Sequence, residues 1–235
     1  MTDIVKKGMN KIMNENEIFI LLQTELKKFK YDKTNLTKSN TSDGRGESNE
    51  SEHDFCVALK TFLEKNTAFK ADIAPPRYWY DIVIYYENFF LPANVKLTEE
   101  RGADNISSKF GLLYTLTGIR PEDMSGLNYW DKYNKTLTYY YDPDLHTDYY
   151  LIVYNKITED ITLSSLKRVE KLVSNGANLP FQCDWSKKEN KIVTKRSQRE
   201  QCAYLMNTFI ESWKKRINLN AFAPLVEWEE LYNEQ

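Results

Sequence analysis

The spacing of hydrophobic and polar residues along this chain predicts a mixed α/β protein. Apolar residues recur at intervals of three and four in four segments that we predict to be helices: 15–30, 52–65, 103–117 and 196–216. Two β-like runs occupy 79–86 and 91–98, and 149–154 is a continuous apolar run, which is typical of a central strand. We also expect a short strand or turn followed by a helix in 161–172, and a short helix at 226–232. The predicted fold is a mixed central β-sheet flanked by α-helices.

The same pattern indicates a single domain that contains a polar segment and a long irregular segment. Residues 33–51 are rich in Ser, Thr, Asn and Gly, so we predict a mobile loop, with a tolerated surface insertion as the alternative. Residues 174–190 are expected to form a long irregular segment. The single domain is expected to comprise an N-terminal helical arm, a flexible polar loop, a core and a C-terminal tail, at residues 1–30, 31–51, 52–216 and 217–235.

Composition narrows the class of protein. The 235 residues are 41% hydrophobic and 14% aromatic, which is enough for a sizeable core. No apolar run is long enough to cross a bilayer, and the N-terminus lacks the apolar segment of a signal peptide. Cys56, Cys183 and Cys202 are scattered and odd in number, as in a reduced cytoplasmic protein, which is the location we expect. His53 and His146 show no zinc-ligand spacing.

The two β-like runs carry the candidate chemistry. Asp81 lies on the first, and Asn94 and Lys96, two residues apart, share one face of the second. A short hairpin link at 88–92 would set Asp81 opposite that pair. Asp81, with the Val95 carbonyl, could then hold Mg²⁺ beside Lys96, which would position or deprotonate water or stabilise charge on a phosphate. The alternative is a solvated Asp81–Lys96 ion pair on a surface hairpin.

This arrangement resembles the PD-(D/E)xK nucleases, in which an acid on one strand precedes an (Asp/Glu)-x-Lys on the next. Within them the chain is most similar to the NgoBV/NlaIV-like restriction endonucleases. That likeness lies in 92–98 (Pro-Ala-Asn-Val-Lys-Leu-Thr), 103–111, 114–118, 148–153 and 175–183. The resemblance implies a restriction-endonuclease-like core and Mg²⁺-dependent cutting of double-stranded DNA at a palindromic site of the GGNNCC kind. It also implies 5′-phosphate ends and a cognate DNA methyltransferase in the same system.

One residue departs from the family pattern. Asn94 stands where the family has Asp or Glu, and an amide binds a hard cation more weakly than a carboxylate. We therefore expect a second carboxylate from elsewhere, with Glu52 as first candidate and Asp54 and Glu87 as weaker ones. The alternative for Glu52 is an ordinary acid in the first turn of a helix.

DNA binding needs a basic face, although the net charge is −2. Basic residues cluster after residue 186, and those we assign to DNA are Lys187, Lys188, Lys195, Arg196 and Arg199. A solvated helix face and an ordinary loop are the alternative for each of them. Before them, Asn175, Asn178 and Gln182 carry amides that suit base edges in the major groove, unless this segment is an Ω-loop packed under the sheet.

Four further residues follow the second strand. Arg101 is a candidate phosphate contact, or part of a plain turn. Asn105 and Lys109 are assigned to DNA, and Asp104 and Asn105 either cap the helix at 103–117 or take part in catalysis.

A palindromic site implies a two-fold symmetric protein, so we expect a homodimer, with the N-terminal helix as a candidate interface. Two other functions stay open. One is a different PD-(D/E)xK nuclease, for repair or for resolving junctions. The other is a non-catalytic DNA-binding or scaffold protein with a decayed site, which Asn94 favours.

Overall fold

A computed structural model describes residues 13–32, 44–106, 108–123 and 130–216 of the protein. The predicted tail at 217–235 and its helix at 226–232 lie outside the described residues, as do residues 1–12 of the arm and 33–43 of the polar loop. The described helices are α1 (Glu15–Leu26), α2 (Gly44–Asn66), α3 (Lys109–Thr117), α4 (Trp130–Tyr139) and α5 (Gln198–Arg216). None of them is long and apolar enough to cross a lipid bilayer.

A five-stranded mixed sheet forms the centre, as the sequence predicted. Its strands, in spatial order, are β1 (Lys70–Ile73), β2 (Ile82–Tyr86), β3 (Phe89–Thr98), β5 (Tyr150–Asn155) and β6 (Ile161–Ser165). β3 and β5 are parallel, and the other neighbours are antiparallel. A second sheet has the order β4 (Ala103–Ile106), β8 (Phe181–Asp184), β7 (Val173–Ser174).

Strand alternation divides the core into two layers. Along β5, Tyr150 and Ile152 pack with the apolar residues of α1 and α2, whereas Leu151 and Val153 pack with those of α3, α4 and α5. Every residue of β5 is buried, which confirms that it is a central strand covered on both faces.

The segment predicted as a helix over 103–117 is a strand followed by a helix. Residues 103–106 form β4, and α3 begins at Lys109. The Oγ of Ser108 accepts a 2.9 Å hydrogen bond from the Gly111 N–H and caps the helix, so Asp104 and Asn105 do not. The predicted stop is confirmed, because Gly118 adopts the left-handed conformation at φ 69°.

Other boundaries also differ from prediction. The turn between β2 and β3 is at residues 87–88, because Tyr86 pairs with Phe89 and the predicted link is mostly strand. Residues 44–51 belong to α2 rather than to the polar loop, and 166–172 form turns instead of a helix.

Further elements were placed differently by the sequence. The segment predicted as irregular at 174–190 contains β8 and a short 3₁₀ helix, and β1 and α4 were not predicted. The first helix ends at Leu26, and the last begins at Gln198.

Candidate active site

Asp81 is held at the point where the chain enters β2. Its N–H donates to the Ala93 carbonyl at 2.9 Å, and its own carbonyl accepts from the Ala74 N–H at 3.0 Å. Its Oδ2 accepts two hydrogen bonds, from the Asn94 Nδ2 at 2.6 Å and from the Val95 N–H at 2.8 Å. The structure thus brings Asp81 against the strand that carries Asn94 and Lys96.

Glu52 and Lys96 form the second half of the site. The Lys96 Nζ donates a 3.0 Å hydrogen bond to the Glu52 Oε1, and the side chains are only 21% and 13% exposed. Glu52 lies in α2, forty-four positions before Lys96 in sequence. The first acid nominated from the sequence is therefore in contact with Lys96. Of the other two nominees, Asp54 lines the same cleft as Glu52 and Asp81, and Glu87 lies in the β2–β3 turn.

Burial and mutual charge set the protonation of this group. Burial raises the pKa of Asp81, and the nearby Lys96 charge partly offsets the rise. Burial also raises the pKa of Glu52, with Lys96 acting against the rise and Asp81 adding to it. Burial would lower the pKa of Lys96, but the carboxylates of Glu52 and Asp81 outweigh it and the net shift is upward. Lys96 is consequently a charged ammonium at neutral pH.

Oxygen donors beside Asp81 fit a hard divalent cation. The Oδ1 of Asn94 is buried and has no hydrogen-bond partner within the described chain, an arrangement that is costly unless a ligand completes it. The Val95 N–H points at Asp81, and its carbonyl lies on the same side of β3, since both groups of one residue in an extended strand do. The described ranges contain no group of three or more His, Cys, Asp or Glu suited to a metal. Asp81, the Asn94 Oδ1 and the Val95 carbonyl are oxygen donors of the kind that Mg²⁺ prefers, and Asp81 is the one carboxylate among them.

Asp104, for which the sequence offered either a helix cap or a part in catalysis, lies near the site. It lies on β4 opposite Cys183, and its Oδ2 is buried without a partner in the described residues. Burial raises the pKa of its carboxyl, against a hydrogen bond from Thr98 and the charge of Lys96. The charge effect puts Asp104 in the neighbourhood of Lys96. Its acidic side chain was the sequence signal for a part in catalysis. The wrong prediction of one helix over 103–117 favoured the helix cap instead.

A cleft of about 730 Å³ opens next to these residues. Its lining comes from the N-terminal half of α2, the end of β1 and the segment that leads into β2. Glu52 and Asp81 are part of its wall, so these two residues are accessible from this side, whereas Asn94 and Lys96 are not among the lining residues. Its volume falls within the range of ordinary ligand pockets.

The amides assigned to base reading lie on the smaller sheet. Asn105 and Gln182 are paired neighbours on β4 and β8. The Asn105 Oδ1 accepts from the Gln182 Nε2 at 3.0 Å and from the Asn175 Nδ2 at 2.9 Å. Asn175 is only 7% exposed, and its Oδ1 accepts from the backbone of residues 177 and 178. Asn175 thus has a structural role, whereas Asn178 is exposed and Gln182 partly exposed.

Several basic residues assigned to DNA are in contact with acids. Lys187 lies 3.8 Å from Asp184, Arg196 lies 3.4 Å from Glu170, and Arg199 is ion-paired with Asp144. Lys188 and Lys195 are exposed. The cluster seen in the sequence is thus partly neutralised in the fold.

Two other candidates lie nearer the start of α3. Arg101 is exposed and ion-paired with Glu99 at 2.9 Å. The Lys109 Nζ lies over the rings of Trp130 and Phe110, at 4.5 and 4.7 Å from their centroids, and burial lowers its pKa. Lys109 is thus committed in part to aromatic contacts.

No protein-family model matches this chain, and no curated protein matches it in sequence.

Proposed function

We propose that the protein is a Mg²⁺-dependent nuclease that hydrolyses phosphodiester bonds of double-stranded DNA. The proposal rests on the two contacts Asp81–Asn94 and Lys96–Glu52, whose acidic members Asp81 and Glu52 line one cleft. A carboxylate, an amide oxygen without a partner and a charged lysine are the groups that phosphodiester hydrolysis needs. A solvated surface ion pair does not account for this burial, since Lys96 and Glu52 are both largely covered.

The residues divide the chemistry between them. Asp81, the Asn94 Oδ1 and the Val95 carbonyl would hold a Mg²⁺ ion, which would supply positive charge to the scissile phosphate. Lys96, whose pKa is raised, stabilises the negative charge that develops on the phosphate and is a poor proton acceptor. Glu52 fixes the Lys96 ammonium, and its own raised pKa makes it the better acceptor for the proton of the attacking water. The water oxygen bonds to phosphorus while Glu52 accepts the water proton, and the bond between phosphorus and the 3′ oxygen breaks. The 3′ oxygen takes a proton from solvent, which leaves a 3′-hydroxyl and a 5′-phosphate.

DNA recognition is assigned to the smaller sheet and its surroundings. Asp104, beside the site, and Asn105, in the amide cluster, are consecutive on β4, so the two regions are joined through one strand. Gln182 and the exposed Asn178 are the amides available for base edges. Arg101, Lys188 and Lys195 are exposed cations available for phosphates.

Within nucleases we propose a type II restriction endonuclease that acts as a homodimer on a palindrome, as the resemblance to PD-(D/E)xK enzymes suggests. The sheet that carries Asp81 and Lys96 supports a restriction-endonuclease-like core. The interface first expected on α1 has less apolar surface than the sequence suggested, because Ile18, Leu22 and Leu26 are buried inside the chain. Ile20 is the exposed apolar residue of this helix.

A non-catalytic DNA-binding protein is the second candidate, and Asn94 in place of a carboxylate favours it. Incubation of plasmid DNA with the protein and Mg²⁺ separates the functions. A restriction enzyme gives discrete bands, a general nuclease gives a smear, and a binding protein leaves the plasmid intact while retarding it in a gel.

A further inference from the structure

The cleft beside Asp81 contains two aromatic side chains that the proposed hydrolysis does not use. Tyr78 and Tyr80 line it together with Arg77 and four residues of α2, Glu52, His53, Asp54 and Cys56. An aromatic wall next to a phosphodiesterase site offers stacking area, because the faces of aromatic rings pack on planar ligands.

The Tyr80 ring packs against two other aromatic rings. Its ring centroid lies 4.9 Å from that of Trp79 and 6.1 Å from that of Phe90. Tyr78 meets Tyr80 at 4.7 Å with an interplanar angle of 87°, so the two rings are at right angles. Tyr78 is 36% exposed, which leaves part of its ring available to a ligand.

The segment 74–80, which carries these rings, is joined to Asp81 by a backbone hydrogen bond. The Ala74 N–H donates to the Asp81 carbonyl, which closes the segment at its base, and the Tyr78 N–H donates to the Pro75 carbonyl within it. Arg77 has a left-handed backbone at φ 66°, which is uncommon for a residue with a side chain. The tyrosines are therefore positioned relative to Asp81 before any ligand arrives.

Charge indicates which part of a nucleotide enters the cleft. The carboxylates of Glu52, Asp54 and Asp81 belong to its wall and outnumber the one guanidinium, that of Arg77. The wall therefore repels a phosphate that is not accompanied by a cation. A nucleobase carries no net charge and has two π faces that stack on tyrosine. The base is thus the part that suits the cleft, with its phosphate at the acids where a cation binds.

We propose that this cleft binds an unstacked nucleobase adjacent to the scissile phosphate, with the face of Tyr78 as its stacking surface and Tyr80 at right angles beside it. The inference rests on the proposed nuclease function, because it takes the substrate to be DNA. A base inside a duplex cannot reach the wall, so the base comes from a nucleotide turned out of the helix or from a single strand.

Binding of short DNA probes in Ca²⁺, without cutting, tests this inference. The probes are a duplex with one bulged 2-aminopurine, the same duplex with an abasic bulge, the fully paired duplex and the single strand. Affinity comes from fluorescence anisotropy, and stacking from quenching of the 2-aminopurine emission. The variants are Tyr78→Ala, Tyr78→Phe, which keeps the ring, and Tyr139→Ala, which removes an 82% exposed tyrosine on α4 outside the cleft.

We expect the wild type to quench the bulged base and to bind it more tightly than the abasic bulge. Tyr78→Ala should lower this affinity roughly five- to 150-fold, as loss of one stacked base does, while Tyr78→Phe and Tyr139→Ala bind as the wild type does. Stronger binding of the bulge than of the single strand identifies a turned-out base as the source, and the reverse order identifies a single strand.

Two results would overturn the inference: equal affinity for the base and abasic bulges, or unchanged binding by a folded Tyr78→Ala protein. Plasmid cutting in Mg²⁺ is scored separately. If the protein cuts plasmid DNA but gives either of these results, the proposed nuclease function stands and the assignment of the cleft to a nucleobase is wrong. If the protein binds the unstacked base as expected but never cuts, the proposed nuclease function alone is wrong.

Discussion

The side-chain amide of Asn94 donates a 2.6 Å hydrogen bond to the carboxylate of Asp81. This bond uses the amide as a donor and leaves the Asn94 Oδ1 buried without a partner among the described residues. An aspartate at position 94 would keep an oxygen donor for the cation but would lose the hydrogen that Asp81 accepts. The amide thus combines a donor for Asp81 with an unused oxygen, whereas an ionised carboxylate offers oxygen atoms alone.

Asn94→Asp should therefore make the site more dependent on Mg²⁺. Two adjacent carboxylates repel each other, so the metal-free variant should unfold at a lower temperature than the wild type. Mg²⁺ should raise its melting temperature more than that of the wild type, and cutting should persist. Thermal unfolding and cleavage rate, each titrated with Mg²⁺, measure the two effects. A folded variant that neither binds Mg²⁺ nor cuts would show that the donor hydrogens are needed.

Asp81 should cost stability at neutral pH when no cation is bound. Its pKa in the folded protein is raised above the usual 3.8, so its stabilising contribution is present below that pH and is lost as pH rises through the folded value. Asp81→Asn should accordingly melt higher than the metal-free wild type at pH 7, by about 2–4 °C per kcal/mol gained. The advantage should shrink towards pH 4, and Mg²⁺ should stabilise only the wild type. Melting curves across this pH range would contradict the account if the variant were less stable throughout.

Lys96→Ala should separate catalysis from binding. It removes a single positioned cation worth about 3–4 kcal/mol in the transition state, or a hundredfold to a thousandfold in rate. Lys60→Ala is the matched control, because Lys60 forms a 2.8 Å ion pair with Glu64 on α2. Single-turnover cutting in Mg²⁺ and gel shifts in Ca²⁺ measure the two functions. Loss of specific binding with undiminished cutting would reverse the roles assigned to this region.

Gln182→Ala should weaken discrimination between cognate and non-cognate duplexes by about 1–3 kcal/mol for a lost base contact, with little effect on folding. Asn175→Ala should instead lower stability by about 1–3 kcal/mol or more, since the buried Asn175 side chain bonds both to Asn105 and to the backbone. Urea unfolding combined with competition binding distinguishes the two effects. Equal behaviour of the two variants in both assays would contradict this division of the amide cluster.

Local patterns predicted the part of the site that local geometry determines. The alternation of strand residues placed Asn94 and Lys96 on one face, and the nearby Asp81 met them across a short turn. Glu52 was nominated as an acid, but its contact with Lys96 depends on how α2 packs on the sheet. Such packing brings together residues that are far apart in sequence, and the spacing of hydrophobic residues along the chain does not predict it.

The smaller sheet escaped prediction for a related reason. Ala103–Ile106 contains Asp and Asn, which are poor strand formers, and it pairs with Phe181–Asp184 far along the chain. That long-range pairing outweighs the local preference and places Asp104 near the site. Likewise, the basic residues near 190 form a cluster in sequence, whereas the fold sets Lys187, Arg196 and Arg199 against acids.

The most direct test of the central claim is plasmid cleavage by the wild type and by Asp81→Ala, each with Mg²⁺ and with a chelator in its place. We predict that the wild type gives discrete bands with Mg²⁺ and none with the chelator. A folded Asp81→Ala protein should give no bands under either condition, since that variant lacks the main cation ligand. Cleavage by Asp81→Ala with normal Mg²⁺ dependence would contradict the site assignment. An intact plasmid in every reaction would contradict the nuclease function itself.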